Sequence, residues 1–225
     1  YKKTSDRNFV FGEEGEYVIN LFAIDKAMNY SRTRTITFRI DKNAPSLSIN
    51  GAGQGTHTSN VNVSMNMKEA FWKDASGEIN IYRKPGDGQS EVLFKTINVT
   101  PTSADMSIAE SFTETGVYRI EFAAEDRTGH SANTSAEFIL DKDAPEVNMA
   151  APDNYYKTKD EVSISFEISD VFYLGKEIDL KGTRTDASGK VHQLDFGKYN
   201  ASASQTVISS TFTEDGIYDI SLTVR

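Results

Sequence analysis

Four acidic residues stand around one proline-containing segment of the chain. They are Asp126, Asp141, Asp143 and Glu146, and the last three flank Pro145. Calcium prefers several oxygen ligands, including carboxylates and backbone carbonyls. The sequence therefore offers a calcium site at these four carboxylates. The alternative is a short extended linker in which proline fixes the direction of the following strand.

Two features of the linker favour this alternative. Lys142 places a cation inside the phrase Asp141–Pro145. The earlier copy of the phrase, at Asp41–Pro45, has Asn43 and is followed by Ser46, where the later copy has Asp143 and is followed by Glu146. No D-x-D-x-D-G calcium loop occurs in the sequence. Calcium is accordingly the only cofactor that the sequence suggests, and the expectation without it is no cofactor.

Two aromatic pairs, Phe71-Trp72 and Phe172-Tyr173, stand at equivalent places in the chain. Neighbouring residues of an extended segment point to opposite sides, so one ring of each pair is expected to be exposed. An exposed aromatic ring beside polar groups can stack on a sugar or anchor a protein partner. Trp72 and Tyr173 are therefore candidates for ligand binding, with packing into a domain core as the alternative.

The sequence offers no recognisable catalytic arrangement. The three histidines, His57, His130 and His192, show no metal-ligand spacing, and no nucleophile elbow or phosphate-binding glycine loop is present. The 33 acidic residues will form close pairs by chance on any surface. We therefore expect a chain that is not an enzyme.

Composition restricts the classes of partner. A net charge of −9 and a pI near 4.9 argue against nucleic acid and against an anionic membrane surface. A mean hydropathy of −0.47, with 38% hydrophobic residues, is typical of globular domains with real cores. No apolar run of membrane-spanning length occurs. The chain has no cysteine, which excludes disulfides and thiol chemistry but fits more than one cellular location.

A repeated phrase reveals how the chain is organised. The pattern F-x-E-x-G-x-Y-x-I begins at Phe11, Phe112 and Phe212, and D-K-x-A-P occurs at Asp41–Pro45 and Asp141–Pro145. A period near 100 residues is the size of a small domain. The sequence predicts the end of one repeat at 1–45, a complete repeat at 46–145 and a repeat without its last strand at 146–225.

Hydrophobic alternation predicts strands throughout. Apolar residues recur at every second position after each repeated phrase and again in the middle of each repeat. The clearest runs are Tyr118, Ile120, Phe122 and Ala124; Val61, Val63, Met65 and Met67; and Val162, Ile164, Phe166 and Ile168. With no amphipathic helix evident, about seven short strands per repeat predict an all-β fold of tandem antiparallel sandwiches. Further strands are expected near 46–50, 77–83, 90–95, 105–113 and 133–141.

The tyrosine of the repeated phrase has a structural interpretation. In Greek-key sandwiches, a tyrosine near the start of strand F bonds to nearby backbone and closes the corner between strands E and F. Tyr17, Tyr118 and Tyr218 occupy that place, and the alternative is simple core packing. The glycines two residues earlier (Gly15, Gly116 and Gly216) are expected to adopt a left-handed conformation.

The motifs together resemble a known family. F-x-E-x-G-x-Y-x-I, then A-x-D at Ala23–Asp25 and Ala124–Asp126, then F-x-x-D-K-x-A-P, is similar to the tandem bacterial immunoglobulin-like (Big-type) repeats of Gram-positive surface or secreted proteins. The resemblance implies immunoglobulin-like Greek-key sandwiches and an extracellular, non-catalytic role as spacer, stalk or adhesive module. The alternative it leaves open is an accessory module that binds carbohydrate or a host or matrix protein.

The repeat phase also bears on assembly. The last repeat would lack the strand G that Ala132–Leu140 supplies in the complete repeat, while residues 31–40 form such a strand in the first. We expect a monomer whose ends reflect where the segment was cut. The alternative is donor-strand exchange, in which residues 31–40 complete the last repeat of another copy.

Overall fold

Strands and one short 3-10 turn make up the described chain. The computed structural model describes residues 8–151 and 161–225, so parts of the predicted first and third repeats lie outside it. The strands are β1 (Gly15–Leu21), β2 (Arg34–Ile40), β3 (Ser46–Asn50), β4 (Thr56–His57), β5 (Val61–Lys68), β6 (Ser76–Lys84), β7 (Val92–Val99), β8 (Asp105–Phe112), β9 (Gly116–Glu125), β10 (Ser131–Leu140), β11 (Glu146–Ala150), β12 (Val162–Ser169), β13 (Glu177–Thr185), β14 (Val191–Asn200), β15 (Gln205–Phe212) and β16 (Ile217–Val224). The turn is Trp72–Asp74.

The strands from β3 to β10 form a sandwich of two sheets. One sheet has the order β3-β5-β8 and the other β4-β10-β9-β6-β7. All neighbours are antiparallel except β4 and β10, which run parallel. In immunoglobulin lettering, β3, β5 and β8 are strands A, B and E, and they face β6, β7, β9 and β10, which are strands C, C′, F and G. The predicted all-β sandwich is confirmed, with the short β4 as an additional strand.

The neighbouring strands repeat this pattern. β11-β12-β15 and β14-β13-β16 form two three-stranded sheets, which correspond to A-B-E and to C′-C-F. β1 and β2 pair as a hairpin, with Gly15 opposite Ile40 and Leu21 opposite Arg34. They correspond to F and G of the complete sandwich, since both pairs follow the same repeated phrase.

The predicted alternation marks the buried faces. Tyr118, Ile120, Phe122 and Ala124 are each 5% exposed or less, and the apolar residues of β5 are similarly buried. They form one core, and residues of β12, β13 and β15 form a second. Burying one face of each strand supplies most of the stabilising free energy of such a sandwich.

Strand β7 is longer than the sequence suggested. The expected strand near 90–95 extends to Val99, because Ile97 packs against the core and Val99 is buried in it. Thr96 and Asn98 alternate with Ile97 and Val99, but a register shift opposite Ile81 and Tyr82 separates this alternation from the apolar run Val92–Phe94. Residues 8–151 and 161–225 contain no helix that is long and apolar enough to span a membrane.

Candidate functional site

Each repeated phrase places a tyrosine hydroxyl on a backbone carbonyl four residues earlier. The hydroxyls of Tyr17 and Tyr118 donate to the carbonyl oxygens of Glu13 and Glu114 at 2.8 Å, and Tyr218 donates to Glu214 at 2.7 Å. Burial raises the pKa of Tyr118 and Tyr218. These bonds have the geometry of a corner between strands E and F.

The glycines before these tyrosines do not share one conformation. Gly15 and Gly216 have φ of 151° and 158°, whereas Gly116 has no positive φ. The left-handed prediction is therefore wrong at Gly116. A Cβ there would lie 2.9 Å from Nε of Arg83 and 3.1 Å from the carbonyl oxygen of Lys84, so close packing requires the glycine.

An arginine that the sequence analysis missed contacts the turn before the tyrosine strand. Arg83 pairs with Glu114 and donates to the carbonyl oxygen of Thr115 at 2.7 Å. In the following repeat, Arg184 pairs with Glu214 and donates to the carbonyl oxygen of Asp215 at 2.8 Å. In both of these repeated phrases, the tyrosine and the arginine thus bind backbone carbonyl oxygens of the same turn.

The first junction between repeats is held by Arg39, near the end of β2. Its guanidinium donates to Oδ2 of Asp74 at 2.7 Å and to Oε2 of Glu16 at 3.2 Å. It also lies 4.5 Å from the centre of the Phe71 ring, which is within cation–π range. Arg39 therefore ties the hairpin of one repeat to the turn that follows strand B of the next.

The second junction uses the equivalent turn. The backbone N–H of Asp87 donates to the carbonyl oxygen of Val171 at 2.8 Å, and Oδ2 of Asp87 accepts from the N–H of Leu174 at 2.8 Å. Gly88 lies against the Tyr173 hydroxyl, which would be 2.9 Å from an added Cβ. The loop between β6 and β7 thus docks on the turn after β12.

The two candidate aromatic residues lie in these turns. Trp72 is partly buried in the turn Trp72–Asp74, with Nζ of Lys73 at 5.5 Å from its ring centre. Tyr173 packs against the second core and contacts Gly88 across the junction. Tyr173 is thus occupied by the neighbouring repeat, and Phe71 rather than Trp72 meets Arg39. A ligand-binding role for Trp72 and Tyr173 stays a prediction.

Asp41, Asp126 and His130 come together at the first junction, and Glu69 is close enough for the charges of Asp41 and Asp126 to act on its carboxyl. Asp41 follows β2, Glu69 follows β5, and Asp126 begins the hairpin between β9 and β10. One ligand atom from each of Asp41, Asp126 and His130 lies within 4.8 Å of the others. Glu69 and Asp126 are only 6% and 5% exposed. The site therefore combines a residue of the linker after one repeat with buried residues at the ends of two strands of the next repeat.

Hydrogen bonds within its hairpin hold the Asp126 side chain in place. Oδ1 accepts from the N–H and hydroxyl of Thr128 at 2.7 Å and from the N–H of His130 at 3.0 Å. Oδ2 lies 3.1 Å from Nδ1 of His130. Burial acts to raise the pKa of Asp126, but the hydrogen bonds from Thr128 and His130 lower it below the usual value. The carboxylate is therefore charged at neutral pH.

The pKa of Glu69 is raised, in contrast to that of Asp126. Burial raises its pKa, and the nearby charges of Asp41, Asp126 and Glu14 raise it further. Only the N–H of Phe71, donating to Oε1 at 2.8 Å, acts in the other direction. The Glu69 carboxyl therefore lies in a less solvated and more negative environment than an exposed glutamate.

The four carboxylates of the predicted calcium site are not brought together. Asp126 precedes β10 and Asp141 follows it, so about 30 Å of extended strand separates them. Asp143 accepts from the Thr115 hydroxyl at 2.9 Å, and Glu146 is exposed at the start of β11. Asp126 instead joins Asp41 of the preceding linker, so the prediction grouped residues from opposite ends of one repeat.

Asp141 has its own neighbours at the second junction. Burial raises its pKa, and Asp170 adds to the increase while Lys176 opposes it. Asp170 follows β12, as Glu69 follows β5, and its Oδ1 accepts from the N–H of Phe172 at 2.7 Å. Each junction therefore places a linker aspartate near an acidic residue at the end of strand B.

Comparisons with known proteins place the chain in no family. No protein family model and no curated protein matches the sequence. Among solved structures, a tetra-tandem repeat in the extending region of a large adhesion protein aligns with 94% of this chain at 16% identity and a TM-score of 0.42, covering 56% of that chain. Red sea bream transglutaminase aligns with 82% at 15% identity and a TM-score of 0.32, covering 29% of that chain. Escherichia coli alpha-2-macroglobulin activated by porcine elastase aligns with 87% at 10% identity and a TM-score of 0.36, covering 22%. The chain spans less than two thirds of each of these structures.

Proposed function

We propose that this chain is a non-catalytic array of immunoglobulin-like repeats that acts as a spacer or stalk in a cell-surface or secreted protein. The observation that carries the proposal is the same turn contacting the preceding repeat at both junctions. Arg39 binds Asp74 and Phe71 at the first junction, and Asp87 binds Val171 and Leu174 at the second. Repeats joined in this way keep a defined relative orientation.

The contacts at the first junction are individually weak. Solvent screens both an exposed ion pair and an exposed cation–π contact. Arg39 makes both kinds of contact with one guanidinium, so a single side chain carries much of the orientation. Five residues, Asp41–Pro45, separate β2 from β3, which leaves little slack for independent motion.

The second junction has one hydrogen bond between backbone groups and one from a backbone N–H to a carboxylate. Asp87 uses its N–H and its carboxylate on two positions of the same turn. Gly88 has φ of 70° and no room for a side chain against Tyr173, so it allows the loop to approach. This junction depends on shape more than on charge.

A second candidate function, binding of a host protein or glycan, is favoured by one surface feature. Val92, Leu93 and Phe94 are 54%, 56% and 46% exposed on β7, the last strand of its sheet. An apolar edge strand can accept an added strand from a partner. Such binding would add to the spacer role, because no residue of β7 takes part in the Arg39 contacts.

Substitution of Arg39 by alanine is expected to loosen the first junction. With Thr37→Cys and Ser135→Cys carrying spin labels, the distance distribution across the junction should broaden relative to the parent chain. The repeats should unfold at nearly the same temperature as before, because the lost contacts are exposed. Pulsed electron–electron double resonance measures the distance distribution, and circular dichroism measures the melting temperature.

Arg34→Ala is the matched control. Arg34 lies on the same strand and forms no ion pair among the residues that the structure describes. Its substitution should leave the distribution unchanged. If Arg39→Ala and Arg34→Ala give the same distribution as the parent chain, Arg39 does not set the orientation.

A further inference from the structure

We propose that Lys42 and Lys142 fasten each linker to the turn of the repeat that precedes it, as positioning residues of the junction. The two phrases that recur in the sequence, D-K-x-A-P and F-x-E-x-G-x-Y-x-I, then bind one another and form a single joint. The inference rests on the proposed spacer function and deepens it, because it names the residues that hold the linker in place.

The first observation is the same lysine contact in both copies. Nζ of Lys42 donates a hydrogen bond to the carbonyl oxygen of Gly12, and Nζ of Lys142 donates to that of Thr113. Gly12 and Thr113 are each the second residue of the repeated phrase. A hydrogen bond from a charged donor is stronger than one between neutral groups. Each linker lysine is therefore bound to the turn of its own repeat.

The second observation is a side-chain contact at the next linker position. In the first linker, Nδ2 of Asn43 donates to Oε2 of Glu14. In the second linker, the hydroxyl of Thr115 donates to Oδ2 of Asp143 at 2.9 Å. Glu14 and Thr115 are each the fourth residue of the repeated phrase. Two chemically different pairs thus hold the linker at the same place in both copies.

The turn that receives these contacts is itself held by other residues of its repeat. The hydroxyl of Tyr118 binds the carbonyl oxygen of Glu114, and the guanidinium of Arg83 binds that of Thr115. Because the turn is fixed to its repeat, a linker bound to the turn is fixed to the repeat as well. The role of the linker lysine therefore differs from that of Arg39, which contacts the following repeat.

These contacts shorten the part of each linker that can move. Five residues, Asp141–Pro145, lie between β10 and β11, and the bound positions 142 and 143 leave only Ala144 and Pro145 before the next strand. Proline fixes its own φ and restricts the residue before it. Each free residue adds backbone conformations, so a linker with two restricted residues allows far fewer orientations than one with five free residues.

Distance measurements across the second junction test the proposal. With spin labels at Ser135→Cys and Ser209→Cys, Lys142→Met should broaden the distance distribution in pulsed electron–electron double resonance. Lys68→Met is the matched control, because Lys68 lies on β5 of the same repeat and pairs with Asp105 of that repeat. Both lysines are exposed, so the melting temperature should be nearly unchanged. If the parent distribution is narrow and Lys142→Met leaves it narrow, the lysine does not position the junction.

Limited digestion with trypsin tests the linker contact independently of the orientation of the repeats. Trypsin cleaves after lysine in exposed segments that can open, so a fastened linker should resist cleavage between Lys142 and Asp143. Thr115→Val removes the hydroxyl that binds Asp143 and keeps the shape of the side chain. It should speed this cleavage about threefold or more, because the open linker becomes more populated.

Thr113→Val is the control for the digestion. The Thr113 hydroxyl forms no hydrogen bond within residues 8–151 and 161–225, and the substitution keeps the carbonyl oxygen that binds Lys142. Equal cleavage of the two threonine variants would overturn the proposal. Slow cleavage after Lys142 together with a broad distance distribution in the parent chain would support the fastened linker and contradict the spacer function, since the repeats would then move about Ala144 and Pro145.

Discussion

Tyr118→Ala is expected to lower the free energy of unfolding of the central repeat by about 3–5 kcal/mol. The side chain is 1% exposed and stacks on Phe138 at a centroid distance of 5.3 Å, with Phe112 at 4.8 Å. Its removal leaves a cavity and deletes the hydrogen bond to Glu114. Urea unfolding followed by the fluorescence of Trp72, the single tryptophan, reports on this repeat.

Tyr118→Phe separates the corner from the packing. It keeps the ring and removes the hydroxyl, so it should cost about 0.5–1.5 kcal/mol. Tyr82→Phe is the matched control, because the Tyr82 hydroxyl forms no hydrogen bond in the described residues and its ring would still face Arg119 at 4.1 Å. If Tyr118→Phe unfolds like the parent chain, Tyr118 acts through packing alone.

Lys176→Met should destabilise the repeat that contains β11–β16 by about 2–4 kcal/mol. The substitution leaves the carboxylate of Asp170 buried without its cation, beside Asp141. The Lys176 side chain is 21% exposed, so solvent screens the pair only in part. Differential scanning calorimetry should show a lower transition temperature for this repeat.

Lys181→Met provides the comparison for that experiment. Lys181 pairs with Asp179 at 2.8 Å, but its side chain is 72% exposed. Solvent screens such a pair, so its loss should barely change the transition temperature. Equal effects of the two substitutions would mean that the Asp170 carboxylate is not buried in solution.

The fold was largely predictable because its signals are local. Alternation in the runs after Gly116 and Val61 predicted both the strands and their buried faces. The tyrosine of each repeated phrase donates a hydrogen bond to nearby backbone, as the predicted corner requires. The end of β7 was predicted too short because an irregularity in its pairing with β6 divides the strand, and only the apolar run before that irregularity was recognised.

The junctions were not predictable to the same extent, because their contacts join distant residues. Asp126 and Asp141 were grouped by their proximity in sequence, but an extended strand carries Asp141 to the other end of the sandwich. Arg39, Glu69 and Lys176 belong to no motif, and only the fold brings them beside their partners. The shared phrase at Asp41 and Asp141 was the one sequence signal that both linkers occupy equivalent places.

The most direct test of the account is the distance distribution across both junctions of the otherwise unchanged chain. Because the sequence contains no cysteine, labels attach only at introduced sites. Thr37→Cys with Ser135→Cys spans the first junction, and Ser135→Cys with Ser209→Cys spans the second; all three positions are exposed on strands. A fixed orientation of the repeats predicts a single narrow distance distribution for each labelled pair in pulsed electron–electron double resonance. A broad distribution at both junctions, of the width expected for freely moving repeats, would contradict the spacer function.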